Sequence, residues 1–218
     1  MKKEALELLR SCASAFAIEL SVQQLELFNL FAEELKKWNR KINLTAIKDD
    51  REIVIKHFAD SLSLLGCLKK TGKLLDIGSG GGFPAIPLKI MLPELPVVSV
   101  DAVEKKILFQ RHAARILQLR EFTAVHARVE DMSKSPAAQF DTIVSRAFAD
   151  LSFFVNLALP LLKPTGQIIA MKGKEGREEA LAAEKCLASL GVKIVDCINL
   201  RLPANGAERY LVVLEKRV

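Results

Sequence analysis

The stretch that decides the fold is residues 74–84, which read LLDIGSGGGFP. A short apolar strand with one acid, Asp76, comes first, and glycines then turn the chain tightly into a helix begun by Pro84 and Pro87. Glycine permits a positive φ and lets the backbone approach a ligand closely. Proline is tolerated in a first helical turn, where the N–H that it lacks has no partner in the helix. The pattern therefore predicts a strand, a ligand-binding loop and a helix.

From this loop onward, apolar runs alternate with helical stretches. Strands are predicted at 74–77, 97–100, 122–125, 140–144, 167–171, 192–197 and 210–214, with helices at 105–119, 151–162 and 177–190. Such alternation indicates a mainly parallel sheet with helices on both faces. Because no helix separates the last two strands, we expect an antiparallel hairpin at one edge. The predicted fold is α/β and Rossmann-like, with a seven-stranded sheet whose carboxyl edge holds the ligand.

The first 70 residues have a helical pattern instead. Ser21 and Gln24 form a capping box, and large apolar residues recur on one helical face after it: Phe28, Phe31, Leu35 and Trp38. After a polar break at 38–45, another helix is expected from about Asp50 to Gly66. We therefore divide the chain into a helical N-terminal extension, 1–70, and a ligand-binding domain, 71–218, within one compact unit.

Composition excludes several classes of protein. The chain has 218 residues, of which 50% are hydrophobic and 27% are charged, with a net charge of +6, so it is too apolar for a disordered protein. Its longest apolar run, 151–162, is well short of the roughly 20 residues that span a bilayer. Charges near the N-terminus interrupt any signal peptide, so a cytoplasmic protein is expected. The four cysteines form no C-x-x-C pair, and no metal site is expected.

Two classes of cofactor use a glycine loop of this kind. The dinucleotide fingerprint can be placed on Gly80, Gly82 and Ala85, but counted from the strand its first glycine is Gly78 and Phe83 then completes it. The G-x-G-x-G loop of enzymes that use S-adenosylmethionine (SAM) falls on Gly78, Gly80 and Gly82 without such a misfit. SAM is favoured, and NAD or a purely structural turn stays open.

Acids stand at the two places that SAM-binding loops use. Asp76 precedes the glycines and is expected to help hold the methionine end, while Asp101 closes the next strand and is expected to bind the ribose hydroxyls. After the third strand, residues 126–131 would wall the adenine; Glu130 or Asp131 either reads its edge or is only a charge at a helix N-terminus.

The fourth strand ends in Ser145-Arg146-Ala147-Phe148, at the position that faces the transferred methyl group. Methylases of exocyclic amino groups usually carry an Asn/Asp-Pro-Pro-aromatic motif there, which this chain lacks. Carbon-5 pyrimidine methylases need a nucleophilic cysteine, usually after proline, and each cysteine here follows Ser, Gly, Lys or Asp. Both chemistries are disfavoured.

Six segments together resemble a known family. They are Trp38-Asn39-x-x-Ile42-Asn43-Leu44-Thr45, His57-x-x-Asp60-Ser61, the glycine loop 75–84, 145–148, Lys172-Gly173 and Glu208–Val213. In this order, from about residue 20 to the end, they resemble the bacterial small-subunit ribosomal RNA guanine-N7 methyltransferase family, also called glucose-inhibited division protein B. The resemblance implies a class I SAM-dependent methyltransferase fold and methylation of N7 on one guanine of 16S rRNA. It also implies the SAM contacts, which are Gly78, Phe83, Val129, Glu130 and Arg146.

The implied chemistry needs positioning rather than proton transfer. Guanine N7 has an in-plane lone pair and attacks a methyl sulfonium without first losing a proton. Arg146 stays protonated and is expected to position the reactants, so neither a general base nor a metal is assigned. Three alternatives stay open: a methylase of the same fold acting on another RNA or a small molecule, an NAD-dependent oxidoreductase, and an RNA-binding assembly factor that holds SAM without turnover.

Basic residues are expected to contact phosphates of the RNA, and the small ribosomal subunit is the expected partner, with no obligate protein partner evident. The assigned residues are Arg40, Lys41, Lys172 and Arg209, the last two because they lie at strand ends within the resembling segments. Further candidates are Lys36, Lys37, Lys174, Arg177 and Arg201. Trp38 and His57 are expected in the core or, for His57, at a helix cap.

Overall fold

A computed structural model of the protein describes residues 1–132 and 139–217. The strands are β1 (Leu74–Ile77), β2 (Val97–Asp101), β3 (Phe122–His126), β4 (Phe140–Ser145), β5 (Leu162–Lys172), β6 (Val192–Arg201) and β7 (Glu208–Lys216). They form one sheet in the order β3-β2-β1-β4-β5-β7-β6. The first five strands are parallel, and β7 runs antiparallel between β5 and β6. The predicted fold class and edge hairpin are confirmed.

Helices cover this sheet and form the N-terminal extension. They are α1 (Lys3–Ala15), α2 (Val22–Ile42), α3 (Asp50–Ile53), α4 (Asp60–Leu62), α5 (Ala85–Met91), α6 (Glu104–Ile116), α7 (Val129–Met132), α8 (Leu151–Ala158) and α9 (Gly176–Ser189). A π-helical turn, Val54–Ala59, joins α3 to α4, and 3₁₀ turns follow at Ser63–Gly66 and Leu159–Leu161. No helix in the parts of the chain that the structure describes is long and apolar enough to cross a membrane.

Two predicted boundaries between the fourth and fifth strands are wrong, and β6 extends to Arg201, four residues past its predicted end at 197. The helix expected over 151–162 ends at Ala158, and β5 begins at Leu162, five positions before the expected strand start at 167. Pro160 cannot donate the backbone bond that an α-helix needs, and the chain tightens there into a 3₁₀ turn. The start of β5 pairs with β4 through a shift in register between Phe140 and Thr142. Lys163 to Gly166 therefore belong to strand β5, although their composition is typical of a turn.

The N-terminal extension packs against the glycine loop and α6. The capping box forms as predicted, since Ser21 Oγ accepts from Gln24 N at 3.1 Å and Gln24 Oε1 accepts from Ser21 N at 2.9 Å. On the helix that it starts, Phe31 is fully buried, with its ring centroid 5.2 Å from that of Phe83 and 6.1 Å from that of Phe109. Burying each such ring contributes about 2 kcal/mol. The extension is thereby fixed against the glycine loop.

Candidate active site

The glycine loop follows β1 and is shaped by two positions that only glycine suits. Gly78 has a φ of +72°, its N–H donates to Val100 O at 2.8 Å, and a Cβ there would lie 2.7 Å from Ala147 Cβ. Gly82 has a φ of +87°, and a Cβ there would meet Ile86 Cδ1 at 2.5 Å. Positive φ and missing space both exclude larger residues. The loop therefore packs closely against its neighbours while one side faces a cleft.

Asp101 at the end of β2 holds the loop from the side. Its Oδ2 accepts from Gly80 N at 2.9 Å and its Oδ1 accepts from Val103 N at 2.8 Å, with 7% of the residue exposed. Lys106 Nζ lies 3.7 Å from the same carboxylate. Each carboxylate oxygen has a second lone pair, so Asp101 can hold the loop and also accept hydrogen bonds from a ligand.

A buried polar network supports the loop from beneath. Gln110 Nε2 donates to Ser79 Oγ and to Gly80 O, both at 2.8 Å, and Ser99 Oγ lies 2.6 Å from Ser79 Oγ and also bonds to Gln110 Oε1. Ser99 and Gln110 are fully buried. Sequence analysis missed both. Their signal was a polar residue on an otherwise apolar strand and another on the inner face of the following helix.

Asp76 lies under the loop rather than on the cleft wall. It is fully buried, and its Oδ2 accepts from Ala85 N at 3.0 Å, at the start of α5. Its Oδ1 has no hydrogen-bond partner within residues 1–132 and 139–217. Burial raises the pKa of Asp76 to about 7, and the amide of Ala85 and the charge of Arg146 oppose that rise only in part. Such an under-bonded acid suits a site that receives a cationic ligand.

Two cavities meet at Gly78. The first, about 250 Å³, is bordered by Asp101, Val129 and Glu130 and by the ring of Phe148. Val129 is 7% exposed, whereas Glu130 is exposed. An apolar cleft with an acid at its rim fits a purine nucleoside, which has two flat faces and a polar diol. The structure thus brings together Gly78, Val129 and Glu130, which the resemblance implies, and Asp101, which the strand-end pattern predicts.

The second cavity, about 180 Å³, lies on the other side of the loop. It is lined by Leu44, Thr45 and His57 of the N-terminal extension, by residues 78–81 and Phe83, and by Arg146 and Ala147. The extension therefore forms one wall of the site. In the described part of the chain, the ionisable side chains that line this cavity are His57 and Arg146.

Arg146 is held by three acceptors from one short segment. Its Nη1 donates to Lys56 O at 3.0 Å and to Asp60 Oδ2 at 3.3 Å, and its Nη2 lies 3.2 Å from His57 Nδ1. The guanidinium carbon lies 5.5 Å from the centre of the Phe83 ring. Contacts on several sides fix the plane of the guanidinium group. A lysine side chain has no planar group and could not make the same set of contacts.

His57 is buried, as expected, and connects Arg146 to the loop after α2. Its ring stacks on Phe83 with centroids 4.3 Å apart, and its Nε2 lies 2.9 Å from Thr45 Oγ1. Thr45 in turn exchanges two backbone bonds with the side chain of Asn39, at 2.8 and 2.9 Å. Burial, with the charge of Arg146, lowers the pKa of His57 to about 3. Sequence analysis gave Asn39 and Thr45 no role, although both belong to a quoted segment.

The predicted contact between Lys172 and an RNA phosphate is wrong, because the Lys172 side chain is buried. The residue is 7% exposed, and its Nζ donates to Phe148 O at 2.9 Å, Ala149 O at 3.0 Å and Glu179 Oε1 at 2.7 Å. These acceptors use all three N–H groups of the ammonium. Lys172 braces the loop after β4 instead.

The other basic candidates are more accessible. Arg40 and Lys41 are exposed at the end of α2. Arg209 at the start of β7 has a side chain that is 25% exposed, and its Nε donates to Asp60 Oδ1 at 2.8 Å. Lys174, Arg177 and Arg201 are exposed near the carboxyl edge of the sheet, whereas Lys36 and Lys37 pair with Asp50 and Glu34. Trp38 packs on Phe109, as expected for a core residue.

Solved structures with this fold include a methylase and a protein in complex with AdoMet. The ribosomal protein L11 methylase of Lactobacillus delbrueckii subsp. bulgaricus is 16% identical, with a TM-score of 0.54 over 75% of this chain and 79% of that one. TYW2 of M. jannaschii in complex with AdoMet is 13% identical, with a TM-score of 0.55 over 72% and 74% of the two chains. These similarities show a class I methyltransferase fold.

Sequence similarity is closer and more specific. The family model described as GidB, rRNA small subunit methyltransferase G, matches residues 24–204. The ribosomal RNA small subunit methyltransferase G of Geotalea uraniireducens (strain Rf4) is 56% identical over 216 residues, which are 99% of each chain. The protein of that name from Desulfitobacterium hafniense (strain Y51) is 43% identical over 91% of this chain and 84% of its own. The resemblance expected from the sequence is confirmed: the chain belongs to the GidB family, that of the rRNA small subunit methyltransferase G.

Proposed function

We propose that the protein transfers the methyl group of SAM to N7 of one guanine in 16S rRNA. The family supports the reaction class and the RNA, and one observation in the structure supports the nucleophile. Within the described residues, the second cavity holds no side chain that is free to take a proton. Arg146 is a permanent cation, and both ring nitrogens of His57 are engaged in contacts. A nucleophile with its own lone pair, such as guanine N7, needs no such group.

The proposed SAM site follows the order of the strand ends. SAM supplies an electrophilic methyl group when it is bound. Asp101 accepts from the ribose hydroxyls, and Val129 and Glu130 flank the adenine in the first cavity. The loop from Gly78 through Gly80 and Gly82 to Phe83 holds the methionine end, with Asp76 beneath it as a counter-charge.

Arg146 is proposed to orient the target base. Of the five N–H donors of a guanidinium, contacts to the extension use three, and two are left for the substrate. Guanine O6 is an acceptor next to N7, so a donor at O6 orients the base and leaves the N7 lone pair free. In-line alignment of this kind supplies several kcal/mol of the reduction in the barrier.

The proposed RNA surface surrounds this cavity at the carboxyl edge of the sheet. It comprises the phosphate contacts expected at Arg40, Lys41 and Arg209, together with the exposed Lys174, Arg177 and Arg201. Lys172 is left out because its ammonium is already saturated. The proposed partner, whose phosphates would contact these basic residues, is the small ribosomal subunit or its RNA.

The test is transfer of a labelled methyl group from SAM into small-subunit RNA, followed by digestion to nucleosides. We expect label in 7-methylguanosine alone. Arg146→Lys, which keeps the charge but not the planar fork, should lower the single-turnover rate at least about tenfold. Label in another nucleoside would refute N7 as the acceptor, and SAM binding without any transfer would favour an assembly factor.

A further inference from the structure

Asp60 joins the two arginines of the site through one carboxylate. It lies in α4 and is 2% exposed, with Oδ2 3.3 Å from Arg146 Nη1 and Oδ1 2.8 Å from Arg209 Nε. Arg146 follows β4 and Arg209 begins β7, so the acid of the extension connects two strand ends of the sheet.

The charge of Asp60 is needed for this arrangement. Guanidinium groups stay protonated at every physiological pH, so the two arginines repel each other unless an anion lies between them. Low exposure strengthens both the attraction to Asp60 and the repulsion that would follow its loss. A buried ion cluster of this type is weak evidence for stability, and its better-attested use is to specify one geometry.

The two arginines depend on Asp60 to different degrees. Arg146 is also bonded to Lys56 O and His57 Nδ1, both in the π-helical turn that precedes Asp60. Among the described residues, Arg209 keeps one other bond, which its Nη1 donates at 2.9 Å to Glu208 O, the carbonyl of its own neighbour in sequence. Loss of Asp60 should therefore release Arg209 more than Arg146.

We propose that Asp60 is a positioning residue that sets Arg146 and Arg209 as a pair facing the RNA. Arg146 is held beside the target base, and Arg209 is held for a phosphate near it. This inference rests on the proposed function, because the substrate that the pair meets is the RNA of that reaction.

The first experiment compares Asp60→Asn with a matched control, Asp141→Asn. Asp141 is another paired acid, less buried than Asp60, which accepts from Lys73 N at 2.7 Å and from Lys163 Nζ at 2.8 Å, at the opposite edge of the sheet. Asp60→Asn should weaken RNA binding about tenfold and slow single-turnover transfer several-fold, with SAM affinity unchanged within twofold. Asp141→Asn should lower the melting temperature and leave the rate and RNA affinity as they are.

The second experiment asks whether Asp60 acts through Arg209. RNA affinity is measured for Asp60→Asn, Arg209→Gln and the double variant. If Asp60 positions Arg209, the double variant should bind RNA within about twofold of Arg209→Gln alone. Asp60→Glu, which keeps the charge, should recover part of the rate and affinity; it also serves as the assay variant if Asp60→Asn does not fold.

Two outcomes of these variant measurements overturn the inference. One is an Asp60→Asn protein that melts earlier and retains wild-type rate and RNA affinity; the other is fully additive losses in the double variant. Failure of the proposed function would show separately, as a wild-type protein that methylates no small-subunit RNA. Guanidinium ¹⁵N resonances, assigned with the arginine variants, then test positioning directly: restricted rotation of Arg209 in the wild type should be lost in Asp60→Asn, and unchanged rotation would also overturn it.

Discussion

Arg146 Nη2 lies 3.2 Å from Nδ1 of His57, and this contact fixes the state of the imidazole. A guanidinium has donors only, so Nδ1 must offer its lone pair, and the ring proton is on Nε2, which then donates to Thr45 Oγ1 at 2.9 Å. Protonation of Nδ1 would place a second ring N–H against the N–H groups of the guanidinium. The neutral imidazole is therefore an acceptor that orients Arg146, and it cannot serve as a general base without losing that bond.

The first prediction concerns His57 and acid. Burial lowers the pKa of the folded-state imidazole from 6.5 to about 3, so the unfolded chain binds more protons between these values. The contribution of His57 to stability is complete above pH 6.5 and decreases as the pH falls. Between pH 7.5 and 4.5, wild type should lose about 2–3 kcal/mol more free energy of unfolding than His57→Gln, measured in urea. Gln offers a similar acceptor and donor without titrating, and equal losses would contradict the assignment.

The second prediction concerns Asp76 and has the opposite sign. Burial raises the pKa of this carboxyl from 3.8 to about 7, so the folded chain binds more protons in that range. Its contribution is most favourable below pH 3.8 and is lost as the pH rises towards 7. Without SAM, Asp76→Asn should gain roughly 2–3 kcal/mol relative to wild type between pH 4.5 and 7.5. If the free energy of unfolding depended on pH in the same way in both proteins, Asp76 would be ionised in the folded state.

Local pattern was enough to predict the strands, the glycine loop and the acids at the strand ends. The local pattern could not show where carbonyl oxygens of another segment would lie close together. It therefore assigned Lys172 to RNA, although Phe148 O and Ala149 O accept hydrogen bonds from its ammonium. It also gave Asp60 no role, because the partner of that carboxylate, Arg209, is 149 positions away. Hydrogen-bond partners distant in sequence leave no periodic signal in either segment.

The third prediction concerns the tight fit of the loop. Gly78→Ala combines a φ of +72° with a contact of 2.7 Å to Ala147 Cβ, so it should cost about 1–3 kcal/mol of stability and weaken SAM binding. Gly66→Ala is the control, since a Cβ at Gly66 would have open space around it in the described part of the chain, apart from its own neighbours in sequence. Thermal melting and calorimetry on both variants check this. Wild-type SAM affinity in Gly78→Ala would mean that the loop moves without penalty.

The fourth prediction concerns Asp101, which both holds the loop and lines the first cavity, the proposed nucleoside site. Asp101→Ala should weaken SAM binding by about 1–3 kcal/mol, because it removes charge-assisted hydrogen bonds to the ribose. Asp101→Asn keeps an oxygen for the amide of Gly80 or Val103 and should lose less. Unchanged calorimetric affinity in a folded Asp101→Ala protein would remove Asp101 from the site.

The identity of the nucleophile is tested most directly by replacing the target guanine with 7-deazaguanine, after the methylated nucleotide has been located. The replacement removes the N7 lone pair and leaves the Watson–Crick edge and all phosphates in place. We predict that RNA binding survives within a few-fold while methyl transfer from SAM falls below detection, and that unmodified RNA of the same length is methylated at the normal rate. Methyl transfer to the 7-deazaguanine RNA would contradict attack by N7.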